Sequence, residues 1–306
     1  MLRSDPLYCR GVTLGRVLLT GGGGQLASDL EALLATRAEV HAPARGALDI
    51  ADGEAVDRVF ESLRPDLVVN CAAFHNVEAC ELEEDRSFEV NARAVKRLAE
   101  SCARAGARLV HLSTNYVFDG AADDPYGEHD RTSPRSVYAI SKLAGEHAAL
   151  AYAPAALVVR TAGLYGMYGS ASKGGNFVTR MLARAREQGS LRMVADQRLT
   201  PTSTEDLAGA VLAAVDAGAE GVVHLTNSGE SSWFAFTEAI MQLAALEIPI
   251  EAVATTRAPG AADRPLNGLL ARPRADALGL EPLPDWRAAL ARYMNRAGLA
   301  APRSAA

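Results

Sequence analysis

Residues 16–34 constrain the fold more than any other stretch of the chain. Arg16-Val17-Leu18-Leu19-Thr20 is a short apolar run, Gly21–Gly24 follow without interruption, and Leu26, Leu30, Leu33 and Leu34 then recur at helical spacing. Strand, tight turn and helix in immediate succession form the opening unit of a parallel sheet. Glycines there let the backbone approach a phosphate and adopt positive φ, while free amides at the helix start supply donors and a favourable dipole. Counted from Gly21 the spacing is Gly-x-x-Gly-x-x-Ala, with Ala27 where a third glycine would lie against the sheet. A glycine-rich turn alone is weak testimony, but its flanks make this one a candidate pyrophosphate cradle, lined by Gly21, Gly24, Gln25 and Leu26.

Further short apolar runs follow at Glu39–Ala42, Leu67–Cys71, Arg108–Ser113 and Ala156–Arg160, each separated from the next by a helical stretch. That alternation predicts an α/β fold with a doubly wound parallel sheet, covered on both faces, over residues 16–160. Ligands of such sheets bind beyond the carboxyl ends of the strands, where Gly21–Gly24, Ala72, Ala73, Thr114, Thr161 and Ala162 are expected to converge. Beyond Arg160 the pattern becomes irregular and rich in glycine (Gly163, Gly166, Gly174, Gly175), with a further strand at Val222–Thr226. Residues 161–300 are accordingly expected to form a smaller substrate lobe interleaved with the last strands, and residues 1–15 a disordered leader or the product of a misplaced start.

Composition excludes several classes of function. A net charge of −6 leaves no basic footprint for nucleic acid. No apolar run approaches membrane-spanning length, and residues 1–15 lack a secretory apolar region, so a membrane partner is not expected. Cys9, Cys71, Cys80 and Cys102 form no Cys-x-x-Cys pair and have no clustered histidines, so the expectation is a reduced cytoplasm and no metal. His75, His111 and His224 show no ligand spacing, and the last two read as strand residues. Glu81–Asp85 reads as a solvated helix start or loop.

The chemistry is concentrated at Tyr138 and Lys142, downstream of Ser113-Thr114-Asn115-Tyr116. On a helix an i, i+4 pair shares one face, so an ammonium there steadies a phenolate and lowers the phenol pKa. The chain has only three lysines, and eight tyrosines meet a lysine at this spacing by chance only about 0.08 times. The second apolar run ends in Val40-His41-Ala42-Pro43-Ala44-Arg45, with no acidic residue to bond a ribose and repel a 2′-phosphate. Arg45 in that place favours NADPH, with NADH as the alternative; the competing reading leaves Arg45 in solvent.

These segments resemble, in order, those of the dTDP-4-dehydrorhamnose reductase group of extended short-chain dehydrogenases/reductases, from about Arg16 to Arg292. The matching pieces are Gly21–Leu26, Leu48-Asp49-Ile50, Asn70–Phe74, Val90-Asn91-Ala92, Ser113–Gly120, Tyr138-x-x-x-Lys142-x-x-Gly145-Glu146, Gly175–Val178, Asp196-Gln197, Pro201-Thr202 and Arg264-Pro265. The Ser-Thr-x-Tyr-Val-Phe-Asp-Gly run and the ordered Asp-Gln and Pro-Thr pairs are the distinctive ones.

The resemblance implies a reductase that sends hydride from a nicotinamide to the C4 ketone of a nucleotide-linked 4-keto-6-deoxyhexose. In that reading Tyr138 is the general acid, Lys142 bonds the nicotinamide ribose, and Thr114 donates to the carbonyl oxygen. Asp49, Ile50, Ala72 and Ala73 line the cofactor site, and Asn176, Phe177, Gln197 and Arg264 the nucleotide-sugar site, Arg264 through two parallel donors to a diphosphate. A homodimer is compatible with the family. Asn115, Ala139, Gly163 and Gly268 depart from its usual aspartate, glycine, tryptophan and serine. A glycine at 163 implies a more open sugar wall, with Tyr165 or Tyr168 available to fill it. A 4,6-dehydratase is disfavoured, because that chemistry needs an Asp-Glu pair where Asn115-Tyr116 stands. A sugar-nucleotide epimerase, or a non-catalytic NADP-binding subunit resembling the methionine adenosyltransferase β subunit, is the alternative.

Overall fold

A computed structural model describes residues 14–168, 174–256 and 261–301. The expected leader, apart from Leu14 and Gly15, lies outside the described residues.

The first apolar run forms strand β1 (Arg16–Thr20), and the chain then alternates through α1 (Gln25–Leu34), β2 (Glu39–His41), α2 (Gly53–Leu63) and β3 (Leu67–Asn70). Two short helices, α3 (Val77–Leu82) and α4 (Glu84–Phe88), precede a π-helical turn at Glu89–Arg93 that runs into α5 (Ala94–Ala105). Strand β4 (Arg108–Thr114), helix α6 (Val137–Tyr152) and strand β5 (Leu157–Thr161) complete the first half. Their strands pair in parallel, in register with the alternating runs of the sequence. The acidic run 81–85 falls across the junction of α3 and α4, mostly in solvent.

The second half contributes β6 (Leu164–Tyr165), α7 (Phe177–Gln188), β7 (Leu191–Val194), β8 (Arg198–Leu199), β9 (Thr202–Ser203) and α8 (Thr204–Asp216). It continues with β10 (Gly221–His224), β11 (Ser231–Ser232), α9 (Trp233–Leu243), β12 (Ile250–Val253), α10 (Pro273–Ala277) and α11 (Trp286–Arg296). Strand β10 returns to the first sheet and pairs with β5, giving the order β10-β5-β4-β3-β1-β2. The order reverses between β1 and β3, and the crevice at such a switch point is where ligands bind.

Three apolar clusters hold these layers. One packs α1 and α8 on one face of the sheet through Leu30, Leu34, Leu207 and Val211. A second packs α2, α5 and α6 on the other face through Val56, Phe60, Leu98 and Ala149. The third is the core of the second lobe, where Phe236, Trp286, Tyr165 and Leu290 are fully enclosed. Burying a side chain of this size is worth about 1.5–3 kcal/mol, so the second lobe has a core of its own while sharing the sheet through β10.

Candidate active site

The glycine turn sits at the switch point. Gly21 takes φ +77°, and a Cβ on it would lie 2.8 Å from the amide nitrogen of Ala72; one on Gly22 would lie 2.1 Å from the carbonyl oxygen of Ala42. Both positions are therefore closed to a side chain, which brings the turn against the loop after β3. Gly24 caps α1 without a side-chain bond, the first turn carries no acidic residue, and the buried Oε1 of Gln25 has no hydrogen-bond partner among the described residues. Unspent amides with a positive helix end and an orphaned polar atom suit a bound diphosphate.

Arg45 and Asp49 stand beside this turn and pair with each other at 3.2 Å, both substantially exposed. Asp49 also accepts from the amide of Ala51, whereas the Ile50 side chain is buried in the core under α2. Leu48 and Ile50 thus turn inward, while the polar side chains of Arg45 and Asp49 reach solvent. Ala72 and Ala73 follow β3 in a loop clamped by Asn91, which accepts from the Phe74 amide at 2.8 Å and donates to its carbonyl at 2.9 Å. The wide turn at Glu89–Arg93 brings Asn91 to α6, where a Cβ on Gly145 would lie 2.1 Å from its carbonyl oxygen.

Tyr138 and Lys142 lie one turn apart on α6, whose start is capped by Ser136 through the Ala139 amide. Thr114, the last residue of β4, is within hydrogen-bonding reach of the Tyr138 hydroxyl, and its Oγ1 also accepts from the Tyr116 amide at 3.2 Å. Thr114 therefore caps the turn after β4 and also stands opposite Tyr138. Burial pushes the Tyr138 phenol above its ordinary range, against the opposing Thr114 bond, so the residue is a neutral donor. Lys142 does not yet steady it. Its amine is turned into the sheet, 2.6 Å from the Leu112 carbonyl and 3.3 Å from His111 Nε2, and burial lowers its pKa to about 8. Behind it the buried Glu146 bonds Arg160 at 2.7 Å and Ser113 at 2.5 Å, which anchors the face of α6 to β4 and β5.

A cleft of about 470 Å³ lies on the second lobe. Phe177, Gln197 and Arg264 line it together with Trp233, Thr255 and Arg184. The Phe177 and Trp233 rings lie 4.5 Å apart, and Gln197 Nε2 donates to Thr255 Oγ1 at 3.0 Å. Arg264 joins this cleft to the tyrosine: it bonds Glu78 and the Tyr116 hydroxyl, and the Tyr116 ring meets that of Tyr138 edge-on at 5.9 Å.

Two expectations are corrected. Asn176 does not face the cleft: it caps α7 through the Thr179 amide, and its Nδ2 donates to Gly166 O at 2.8 Å and to Tyr293 Oη at 2.7 Å. Starting a buried helix consumes every polar atom it has. Nor does Gly163 open a wall: its φ is +59°, and a Cβ there would lie 3.0 Å from Leu199 and 3.1 Å from Pro201. Tyr165 is fully enclosed between Phe236 and Tyr293 in the second lobe's core, and Tyr168 is exposed.

Sequence reasoning missed Tyr116, Glu78, Trp233 and His111 as neighbours of the site. Tyr116 stood inside a distinctive motif, which was the one usable signal. The others are brought in by long-range packing. Among the described residues no group of three or more His, Cys, Asp or Glu could hold a metal ion, and no helix is long and apolar enough to cross a membrane.

The chain matches the family described as the RmlD substrate binding domain over residues 15–298. It is 40% identical to a dTDP-4-dehydrorhamnose reductase of Mycobacterium tuberculosis, over 90% of this chain and 91% of that protein. Identity is also 40% to a probable dTDP-4,6-dihydroxy-2-methyloxan-3-one 4-ketoreductase of Streptomyces antibioticus, over 90% of this chain and 93% of the relative. The crystal structure of a Bacillus anthracis dTDP-4-dehydrorhamnose reductase in complex with NADP superposes with a TM-score of 0.87 at 31% identity, covering 92% of this chain and 99% of that one.

Proposed function

The chain belongs to the RmlD substrate binding domain family, and from that premise we propose that it is an NADPH-dependent reductase of the C4 ketone of a dTDP-linked 4-keto-6-deoxyhexose. The observation that carries the reading is Tyr138, held as a neutral phenol against Thr114, with Lys142 one turn on and Arg264 linking the pair to a nucleotide-sized cleft.

NADPH fits the first lobe, and when bound it supplies the hydride. Gly21, Gly24 and the amides of Gln25 and Leu26 would hold its pyrophosphate, with the orphaned Gln25 Oε1 beside them. Ala72 and Ala73 leave room for the backbone to line the channel, and Arg45, in the loop after β2, would meet the 2′-phosphate. Lys142 would bond the nicotinamide ribose after swinging out of its pocket.

For the sugar, Thr114 and Tyr138 converge on one oxygen. As charge builds on the ketone oxygen both hydroxyls donate to it, and Tyr138 gives up its proton to the alkoxide. A phenol raised by burial holds its proton until that moment. A lysine ammonium drawn near would lower the cost of the phenolate left behind. Phe177 and Trp233 offer aromatic faces to the base, and Arg264 a guanidinium to the diphosphate.

The test is NADPH oxidation with dTDP-4-dehydro-L-rhamnose beside other dTDP-4-keto sugars. Turnover of at least one supports the reading. A protein that binds NADPH yet reduces none of them would sink it in favour of a non-catalytic role.

A further inference from the structure

A chain of buried side chains runs behind the site from the glycine turn to the lysine. Thr20 Oγ1 donates to Asn70 Oδ1 at 2.6 Å, and the amide of Ala72 donates to the same oxygen at 3.2 Å. A backbone N–H can only donate, so the Asn70 carboxamide has one orientation, and its Nδ2 carries hydrogens toward His111. Nδ2 lies 3.0 Å from His111 Nδ1, which must therefore accept. The single proton of a neutral imidazole is then on Nε2, 3.3 Å from Lys142 Nζ. An imidazolium is excluded on the same ground, because a proton on Nδ1 would oppose the Asn70 donor; burial also holds His111 well below its ordinary pKa.

An ammonium has three donors and no acceptor, so a charged Lys142 would set N–H against N–H across this contact. A neutral amine fits: its lone pair takes the proton of Nε2–H, and one of its own hydrogens goes to the Leu112 carbonyl at 2.6 Å. We propose that His111 is a positioning residue that, under mildly alkaline conditions, holds Lys142 as a neutral amine in the ligand-free enzyme through an Nε2–H to Nζ hydrogen bond, and that nucleotide binding there releases the lysine and recharges it with one proton from solvent.

The surroundings agree. From the end of β3 the amine faces Cys71, whose thiol burial pushes up to about 12 and so keeps neutral. From β4 it faces His111. Along α6 it has Tyr138 one turn before, a neutral phenol, and Glu146 one turn after, already bonded to Arg160 and Ser113. Desolvation therefore outweighs the opposing pull of Glu146 on the lysine. The inference rests on the reading of Lys142 as the group that meets the nicotinamide ribose. There the dinucleotide's negative charge favours –NH3+, and the balance is –NH2 plus one solvent proton.

With only three lysines, selective 13Cε labelling gives three NMR signals, and loss of one in Lys142→Met assigns it. In the ligand-free protein that signal is expected to titrate near 8 and to move up by about two pH units or more when NADPH is added. Calorimetry of NADPH binding in buffers of different ionisation enthalpy should read proton uptake that is small at about pH 7 and approaches one at about pH 9. Histidine 15N shifts should show His111 protonated on Nε2. Asn70→Asp, which offers Nδ1 an acceptor, should reverse the tautomer and raise the lysine's titration. A Lys142 signal titrating above about pH 10, or a wild-type His111 protonated on Nδ1, overturns the assignment. NADPH binding without proton uptake at the higher pH overturns the recharging step. Failure to bind NADPH at all overturns the proposed function instead, and the ligand-free titration distinguishes the two failures.

Discussion

Asn115 and Gly268 are fitted to each other across 153 positions of sequence: Asn115 Nδ2 donates to the Gly268 carbonyl at 2.9 Å, and a Cβ on Gly268 would lie 2.3 Å from that nitrogen. Both residues are expected departures from the aspartate and serine usual in the family that the sequence resembles, and the contact would relate the two. An aspartate at 115 has no hydrogen to give and would set a carboxylate against the carbonyl. A serine at 268 would displace the amide, yet would offer an aspartate the hydroxyl it lacks. N115D and G268S should each cost about 1–3 kcal/mol. The double variant should recover at least about 1 kcal/mol of their sum, read from urea denaturation. Strict additivity would show that the two positions are independent.

Tyr138→Phe removes a proton donor and little else. It should lower kcat by several orders of magnitude while the Kd for NADPH changes less than about threefold. Lys142→Ala should damage both, because the ribose contact goes with the charge. Substantial turnover by the phenylalanine variant would mean that water or another residue is the acid.

Arg264 tests whether the cleft and the tyrosine form one site. Its guanidinium reaches Glu78 and the Tyr116 hydroxyl together, a geometry that a lysine cannot copy. Arg264→Ala and Arg264→Lys should both raise KM for the nucleotide sugar by about tenfold or more, equivalent to roughly 1.4 kcal/mol or more, with the Kd for NADPH unchanged. An unaltered KM would confine Arg264 to a surface ion pair.

How far the sequence could be read depended on whether a signal was local. The strands β1 to β5 were legible because apolar runs and their flanking turns are contiguous, and Tyr138 and Lys142 because one helical turn joins them. Asn176 misled because a helix cap and a ligand contact look alike in sequence: both ask for a short amide before an amphipathic run. Gly163 misled because a missing side chain suggests a gap, whereas Leu199 and Pro201 already occupy the space. The path from Asn70 through His111 to Lys142 joins residues 41 and 31 positions apart on β3, β4 and α6. No spacing encodes it, since only the strand register of the folded sheet sets Asn70 opposite His111.

Cofactor preference should reside in Arg45. The side chain is exposed and, among the described residues, its ion pair is with Asp49 across 3.2 Å, so a 2′-phosphate has a guanidinium to recruit. Arg45→Ala should lower the ratio of kcat/KM for NADPH over NADH by about tenfold, the scale of one charge-assisted hydrogen bond. Asp49→Asn should move it the other way by releasing the arginine. A ratio unmoved by either would place the 2′-phosphate elsewhere.

Stability should fall with acid before the carboxylates titrate. His224 is enclosed, and its Nδ1 donates to the Ala271 carbonyl at 2.8 Å. Burial, opposed by the bond to the Ala271 carbonyl and helped by the Arg160 charge, lowers its pKa to about 3 from 6.5. The folded state thus binds fewer protons than the unfolded chain between these values, so stability rises with pH through that window. It is fully present above the unfolded pKa and is lost as pH falls toward the folded one. At pH 5 the loss from this one residue should be about 2 kcal/mol, with His111, depressed in the same direction, adding to it. His224→Phe keeps an aromatic ring beside Phe118 and removes the titration. Its stability should therefore fall about 2 kcal/mol less than that of the wild type between about pH 7.5 and 5, measured by urea denaturation, even if the lost bond to Ala271 lowers it at both. Parallel losses in the two proteins would mean that His224 is protonated in the folded state and that its burial carries no acid penalty.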